Sequence, residues 1–263
     1  MMETKICTLM YHDAYVNSKS ESGFNFDSAN SYKIKRDEFE YQVQAINDCF
    51  RKEGKNKSYV RFTFDDGGVS AYTIFAPILE KYGFKGIFFI ATDYLNKEGF
   101  LSDQQIIDLH RRGHIIGSHS HSHRQRMNSL PKKELFEDWK NSKDCLQDII
   151  KEPISVASLP NGYSSTQMLE ALAELGFKEV YTSDARENVN EFSGMHIFGR
   201  YGIKDGMKVR DVVDIVFDRR TKLKIQSKKK FLRLLKKILG KYYVSIREYL
   251  YHFINEDDAK KIH

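Results

Sequence analysis

The sequence has little cysteine, little proline and no long apolar run. Only 3 cysteines and 4 prolines occur among 263 residues. Cys7, Cys49 and Cys145 are widely spaced and form no CxxC pair, so neither a disulfide framework nor a cysteine-based zinc site is expected. No stretch approaches about 18 uninterrupted apolar residues, and the first residues lack the cationic start and apolar block of a secretory signal. We therefore expect a cytoplasmic protein without a transmembrane helix.

Acidic residues are absent from one long segment near the C-terminus. Between Arg219 and Arg247 there are 12 Lys or Arg and no Asp or Glu, whereas the rest of the chain has 30 basic and 36 acidic residues. The formal net charge of +6 thus hides an acidic body and a strongly basic tail. An acidic body is not typical of a nucleic-acid-binding domain, and we expect no nucleic-acid partner.

The chain has the composition of a folded domain, since 41% of its residues are hydrophobic and 13% aromatic. Short apolar runs alternate with helical patterns along most of the sequence, which predicts a mostly parallel sheet with crossover helices. We predict one α/β domain over residues 1–218 and a helical extension over 219–263. In such a sheet, chemistry is expected at the carboxyl ends of the strands.

Two groups of polar residues follow predicted strands. The run Phe62-Thr63-Phe64 leads into the adjacent carboxylates Asp65 and Asp66, whose mutual repulsion a bound cation or a raised pKa would relieve. A polar turn is the alternative, because Asp-Gly is common in turns. The strand at Ile115 leads into Gly117-Ser118-His119-Ser120-His121-Ser122-His123. His119 and His123 can face one point if the chain turns there, and imidazole is a common ligand of divalent metals. A solvated polar loop is the alternative for the histidines.

The two motifs together resemble those of the NodB-homology polysaccharide deacetylases. TFDDG at 63–67 and GSHSHSH at 117–123 are similar to the first two motifs of that family, and MYHDA at 10–14 is similar to its usual start. The resemblance covers about residues 59–216. It implies a distorted (β/α) barrel of about seven strands and a metal-dependent hydrolysis of acetyl groups on sugars.

The resemblance also implies roles for individual residues. Asp65 would be the general base, and Asp66, His119 and His123 would hold one divalent metal that polarises the acetyl carbonyl and activates water. Zinc is the expected metal, with cobalt, nickel, manganese or iron as alternatives. His121 would not be a ligand, and we interpret His114 as structural.

The third motif of the family is altered here. An Arg-Pro-Pro-Tyr-Gly-like run is expected, with its arginine on the catalytic aspartate, but the chain has Ser158-Leu159-Pro160-Asn161-Gly162-Tyr163. The backbone N–H of Asn161 remains able to serve an oxyanion, and Pro160, Gly162 and Tyr163 are expected to line the substrate site. Arg200 is the best replacement for the missing arginine, with a surface salt bridge as its alternative role.

The family's leaving-group histidine is also missing from its usual Leu-x-His pattern. His196 is the only replacement before the tail, although it lies at the start of a predicted strand. Three functions stay open: N-deacetylation of a free or lipid-linked sugar or polysaccharide intermediate, hydrolysis of a non-sugar amide by the same metal barrel, and catalytically silent sugar binding.

The tail carries a second, separate signal. From Ser227 to Phe253 apolar residues recur at helical spacing while lysines fill the opposite face, which is typical of one long amphipathic helix or of two helices broken near Gly240. The helix either packs its apolar stripe on the barrel or lies on an anionic membrane surface. We keep both, the second implying a peripheral position at the inner membrane surface.

Overall fold

The computed structural model describes residues 5–54, 56–162 and 164–239. It divides into two compact units, with the boundary between Arg219 and Arg220. The strands are β1 (Cys7–Tyr11), β2 (Asp13–Tyr15), β3 (Lys33–Lys35), β4 (Val60–Phe64), β5 (Gly86–Ile90), β6 (Ile115–Ser118), β7 (Val156–Ser158), β8 (Glu179–Tyr181), β9 (Asn190–Phe192), β10 (Met195–Phe198) and β11 (Tyr201–Gly202). The helices of the first unit are α1 (Asp27–Asn30), α2 (Arg36–Glu53), α3 (Ala76–Lys81), α4 (Asp103–Arg111), α5 (Lys132–Ile150), α6 (Thr166–Glu174) and α7 (Val209–Phe217).

One curled sheet organises the first unit. Nine strands are ordered β11-β1-β4-β5-β6-β7-β8-β10-β9, and every pair is parallel except β9 with β10. Parallel neighbours joined by helices bring the carboxyl ends of the strands to one edge. The expected α/β fold with a distorted (β/α) barrel is confirmed, as a half-barrel of curled sheet.

Strand alternation sorts the side chains into two layers. On β4, Phe62 and Phe64 join an aromatic cluster under α2 and α3, in which the Phe64 and Phe75 ring centroids are 4.3 Å apart. The intervening Thr63 donates to the backbone of β1 and contacts Arg200, and it therefore lies on the opposite face of the sheet. Successive residues of a strand point to opposite faces, so Asp65 follows Thr63 onto the inner side.

Two segments depart from the element that their sequence pattern predicts. The pattern over Ser70 to Tyr82 predicts one helix, but the segment opens as a π-turn at Ala71–Phe75 before α3 begins. Pro77, near the start of α3, has no N–H and its ring clashes with the carbonyl four residues earlier, which a wider turn avoids. The pattern over Ile197 to Tyr201 predicts one strand, which is split into β10 and β11 because the backbone N–H of Arg200 turns to Asp184 instead of continuing the ladder.

The second unit is described through one helix, α8 (Arg219–Leu239). The part of the predicted tail helix after Leu239 lies outside the described residues. Among the helices described, none is both long enough and apolar enough to cross a membrane.

Candidate active site at the carboxyl edge of the sheet

Five polar residues follow or end neighbouring parallel strands. His12 follows β1, Asp65 follows β4, His119 follows β6, Ser158 ends β7 and Arg200 comes shortly after β10. Because these strands are parallel, their ends meet at the same edge of the sheet. These residues are far apart in the sequence but close together in space.

Asp66, His119 and His123 converge on one point. One potential ligand atom from each lies within 4.8 Å of the other two. The Nε2 atoms of His119 and His123 are 3.4 Å and 3.3 Å from the same Asp66 oxygen. One carboxylate and two imidazoles form a donor set that suits a divalent transition metal and leaves coordination positions for other ligands.

The tautomer of His119 fits this use. Its Nδ1 lies 2.9 Å from the backbone carbonyl oxygen of Ser158, which can only accept a hydrogen bond. In the neutral ring that binds a metal, Nδ1 therefore carries the proton and the lone pair is left on Nε2, the atom that faces Asp66. Without a metal, Nε2 takes up a proton and donates a hydrogen bond to Asp66. The position of the three residues and the tautomer of His119 thus fit a bound metal.

The loop that carries the second histidine is tightly turned, not helical. Ser120 and His123 have φ values of 66° and 48°, and Asp66 opposite them has 77°. Left-handed backbone at residues other than glycine costs free energy and persists where the surroundings enforce it. Phe24 contributes to this, since its ring stacks on that of His123 with centroids 5.0 Å apart.

A carboxylate from α5 holds the same loop from outside. Asp138 accepts hydrogen bonds from the backbone N–H groups of His121 and Ser122, at 2.8 Å and 3.3 Å, and from the Ser122 hydroxyl. The side chain of His121 turns to Thr92, 2.9 Å away, and lies outside the three-residue cluster. Asp138 therefore fixes the loop without touching the cluster, and nothing in the sequence pattern marked it.

Arg200 lies directly on Asp65. Its two terminal nitrogens donate to the two carboxylate oxygens at 2.7 Å and 2.8 Å, and its Nε donates to the Thr182 carbonyl. The Arg200 side chain is 0% exposed, so this is a buried bidentate pair and not a surface salt bridge. The hydroxyl of Ser158, where the family motif has arginine, donates to the same carboxylate at 2.9 Å.

The two carboxylates are held ionised by different neighbours. Burial alone would raise the pKa of Asp65, but the charges of Arg200 and His119 together with the hydrogen bonds from Arg200 outweigh burial and lower the pKa below its ordinary value. Burial would likewise raise the pKa of Asp66, and hydrogen bonds from His119 and His123 bring it well below its ordinary value. Burial lowers the pKa of His119, but the charges of Asp65 and Asp66 prevail and raise it.

The altered third motif forms a turn after β7. Pro160 is buried, Asn161 is exposed with a left-handed φ of 58°, and Gly162 has a φ of 71°. A Cβ at Gly162 would lie 1.4 Å from the Ser183 hydroxyl, so only glycine fits there. Tyr163 lies outside the described residues.

His196 and His12 lie in very different surroundings. His196 on β10 is exposed, and its Nδ1 faces Glu191 at 3.7 Å. His12 interacts electrostatically with Asp65, Asp66 and His119, and its buried Nδ1 has no hydrogen-bond partner in the part of the chain that the structure describes. The position of His12 in the MYHDA run was the available signal, but sequence reasoning gave it no role.

His114 is structural, as interpreted from the sequence. It is buried, its Nδ1 accepts from the backbone N–H of Gly86 at 3.0 Å, and its Nε2 lies 2.8 Å from Glu80. These contacts tie the start of β5 to α3.

Comparison with known proteins agrees with this architecture. The family model for polysaccharide deacetylases matches residues 52–180. The curated relative YxkH of Bacillus subtilis, named for the same family, is 23% identical over 217 residues, covering 77% of this chain and 73% of its own.

Solved structures show the same fold. PplD, a deacetylase of Streptococcus pyogenes solved in complex with acetate, is 22% identical with a TM-score of 0.68, and the match covers 82% of this chain and 99% of that one. IcaB from Ammonifex degensii is also 22% identical, with a TM-score of 0.65 and coverage of 81% and 97%. The family model thus identifies a polysaccharide deacetylase domain at residues 52–180, and this family is one of hydrolytic deacetylases.

Proposed function

We propose that the protein hydrolyses the acetamido group of an N-acetylated sugar or polysaccharide intermediate, with a divalent metal held by Asp66, His119 and His123. The observation that carries the proposal is the placement of Asp65. It lies beside the three-residue cluster, outside it, and is locked by Arg200 in an ionised state. A site that only bound sugar would have no use for this spare carboxylate.

The metal, with zinc as the expected ion, would polarise the acetyl carbonyl and make a bound water more acidic. Asp65 accepts the proton of the attacking water, and Arg200 and Ser158 orient its carboxylate for that transfer. The backbone N–H of Asn161 is the donor we assign to the oxyanion. It does not depend on the side chain, so the altered motif can retain this function.

The departing amine needs a proton, and we assign its delivery to His12 in place of His196. The reaction breaks the carbonyl carbon–nitrogen bond, leaving acetate and a protonated amine on the sugar. His12 interacts with both aspartates, and its buried Nδ1 has no hydrogen-bond partner among the described residues, while His196 is exposed and faces Glu191. His12→Gln is expected to lower kcat by about 10²–10⁴-fold with metal content unchanged.

The first experiment measures acetate release from N-acetylglucosamine oligomers, lipid-linked N-acetyl sugars and small non-sugar amides, with and without added zinc, cobalt, nickel, manganese or iron. Metal-dependent release from the sugars alone supports the proposal. Turnover confined to non-sugar amides would assign the barrel to that reaction, and tight sugar binding without any turnover would make it a binding protein.

A set of variants assigns the individual roles. His119→Ala and His123→Ala are expected to lose stoichiometric metal by elemental analysis, whereas His121→Ala serves as a matched control that keeps it. Asp65→Asn should keep metal and lose about 10²–10⁴-fold in kcat, while Asp66→Asn should lose both. Equal metal loss in the two aspartate variants would contradict the assignment of Asp65 as a base.

A further inference from the structure

The helix α8 carries charge of one sign only. Its 21 residues include ten Lys or Arg and no Asp or Glu. Lys224, Lys228 and Lys230 are exposed. Such a helix repels a second copy of itself, and its partner must be anionic.

The same helix presents large apolar side chains to solvent. Leu223, Phe231, Leu234 and Ile238 are all at least half exposed, with Phe231 at 60% and Ile238 at 70%. At about 100° per residue, these four positions fall within one quarter of the helix circumference. They form an apolar stripe, which is defined here by those four residues.

We propose that α8 lies flat on an anionic lipid membrane, with the apolar stripe in the acyl boundary and the lysines among the headgroups. A phosphate polymer such as RNA would satisfy the charges but would leave the stripe in water. An apolar protein groove would satisfy the stripe but would leave the exposed Lys224, Lys228 and Lys230 without counter-charges. An anionic bilayer surface offers both environments at the depth of a single helix, which spans about 30 Å in the membrane plane.

The leaflet this arrangement fits is the cytoplasmic one, because anionic lipids concentrate there. The inference does not depend on the proposed chemistry of the first unit. If both hold, the enzyme works at the surface where membrane-bound sugar substrates are available.

The test uses the full-length protein and vesicles of phosphatidylcholine, alone or mixed with phosphatidylglycerol, in a sedimentation assay. Wild-type protein should sediment with the mixed vesicles and be released by added salt. Phe231→Ser with Ile238→Ser removes apolar area without changing charge, and it should weaken binding at least tenfold. Lys228→Gln with Lys230→Gln should weaken it by about 25-fold, at about fivefold for each lysine.

The matched control is Tyr41→Ser on α2, which removes a side chain that is 59% exposed outside α8. It should bind like wild type, and circular dichroism should show every variant folded. The proposal fails if the Phe231/Ile238 variant sediments like wild type, or if phosphatidylcholine alone binds equally well. It also fails if both lysine and apolar variants retain vesicle binding while RNA binding is lost only with the lysines.

Discussion

Asp65 and Asp66 are adjacent in sequence, yet they face different partners. Asp66 turns to two imidazoles, whereas Asp65 turns to a guanidinium and a hydroxyl. Both are buried, so the difference arises from the cations each one meets. Alternation of a strand end with a left-handed residue at position 66 produces this divergence. One residue can then serve as a ligand and the other as a base.

Arg200→Lys tests what the two hydrogen bonds from the Arg200 guanidinium to Asp65 contribute. Lysine keeps the positive charge but cannot donate to both oxygens of Asp65, so the pKa of Asp65 should rise toward its ordinary value. Since the base must be ionised, the acidic limb of the kcat/KM profile should move to higher pH, and kcat should fall about tenfold or more. Metal content should stay at the wild-type level, as measured by elemental analysis.

The same variant should also be less stable near neutral pH. A carboxylate whose folded pKa is depressed stabilises the fold above its unfolded pKa, and this contribution is lost as pH falls through the folded pKa. A weaker partner for Asp65 reduces this contribution, so the free energy of unfolding measured with denaturant should fall by about 1–3 kcal/mol. Arg61→Lys, whose arginine pairs with Glu179, is the control and should leave the pH profile unchanged. An unshifted acidic limb in Arg200→Lys would show that Arg200 does not tune the base.

At the residue scale, the sequence predicted best the contacts between residues that lie close together in the chain. The Asp pair and the His119–His123 spacing lie within single loops, so their convergence could be predicted. The link of Arg200 to Asp65 joins positions 135 residues apart, and it was predicted only as a replacement for a missing arginine. His12 and Asp138 act through contacts that only the packed strands and helices create, and no local pattern identifies them.

At the scale of elements, β6 and α5 together place the histidine loop. The Ser118 hydroxyl lies 2.7 Å from the Ser142 hydroxyl of α5, and Asp138 one turn earlier holds the loop itself. The helix therefore supports the candidate metal site although no residue of α5 belongs to it.

Asp138→Ala should weaken metal affinity by about 10–100-fold, because the loop loses the acceptor for its N–H groups. Isothermal titration of the metal-free protein measures this, and Asp138→Asn should restore part of it since an amide oxygen also accepts. Asp144→Ala removes an exposed carboxylate of the same helix that pairs with Lys140 and should have no effect. Equal losses in both variants would mean that α5, and not the loop contact, is at fault.

Gly117 on β6 lies where three strands pack closely. A Cβ there would be 2.6 Å from the Phe89 ring and 2.8 Å from Val156. Gly117→Ala should cost about 1–3 kcal/mol in denaturant unfolding and shift the strand that leads to His119. Gly202→Ala, whose Cβ would meet the flexible end of Met10 at 3.0 Å and Tyr32 at an ordinary contact distance of 3.9 Å, is the matched control and should cost less. A Gly117→Ala variant as stable as wild type would refute this packing constraint.

Elements were predictable from periodicity where packing and propensity agree, as in α5. They were less predictable where one residue overrides its neighbours. Pro77 converts the start of a regular helix into a π-turn, and Arg200 interrupts a predicted strand to reach Asp65. Both exceptions involve tertiary contacts. Neither changes the hydrophobic pattern of the sequence.

At the scale of the whole molecule, the three-residue cluster ties the end of β4 to the loop after β6. A metal that binds only the folded state stabilises it by about 2.7 kcal/mol at a free concentration 100 times its Kd. Removing it with a chelator should lower Tm by roughly 5–10 °C in scanning calorimetry. In His121→Ala the chelator should lower Tm as much as in wild type. An equal Tm shift in His119→Ala would exclude the three-residue cluster as the origin of the shift.

The overall fold followed from alternating strand and helix patterns, which is why the barrel class could be predicted. The role of the basic tail could not, because its apolar stripe suits either packing or a membrane. The exposed fractions of the four α8 stripe residues are known from the structure, and the sequence pattern does not predict them.

The pairing of Asp65 with Arg200 has a consequence for the order of synthesis. During synthesis, Asp65 leaves the ribosome long before Arg200. Until β10 packs onto the sheet, Asp65 and Asp66 lie on its inner side without the guanidinium of Arg200. Burying them in that state is costly, so the nascent half-barrel is expected to stay open and hydrated until its last strands arrive. Final closure of the fold and completion of the Asp65–Arg200 pair are then one event, and fragments that end before Arg200 should be inactive and loosely packed.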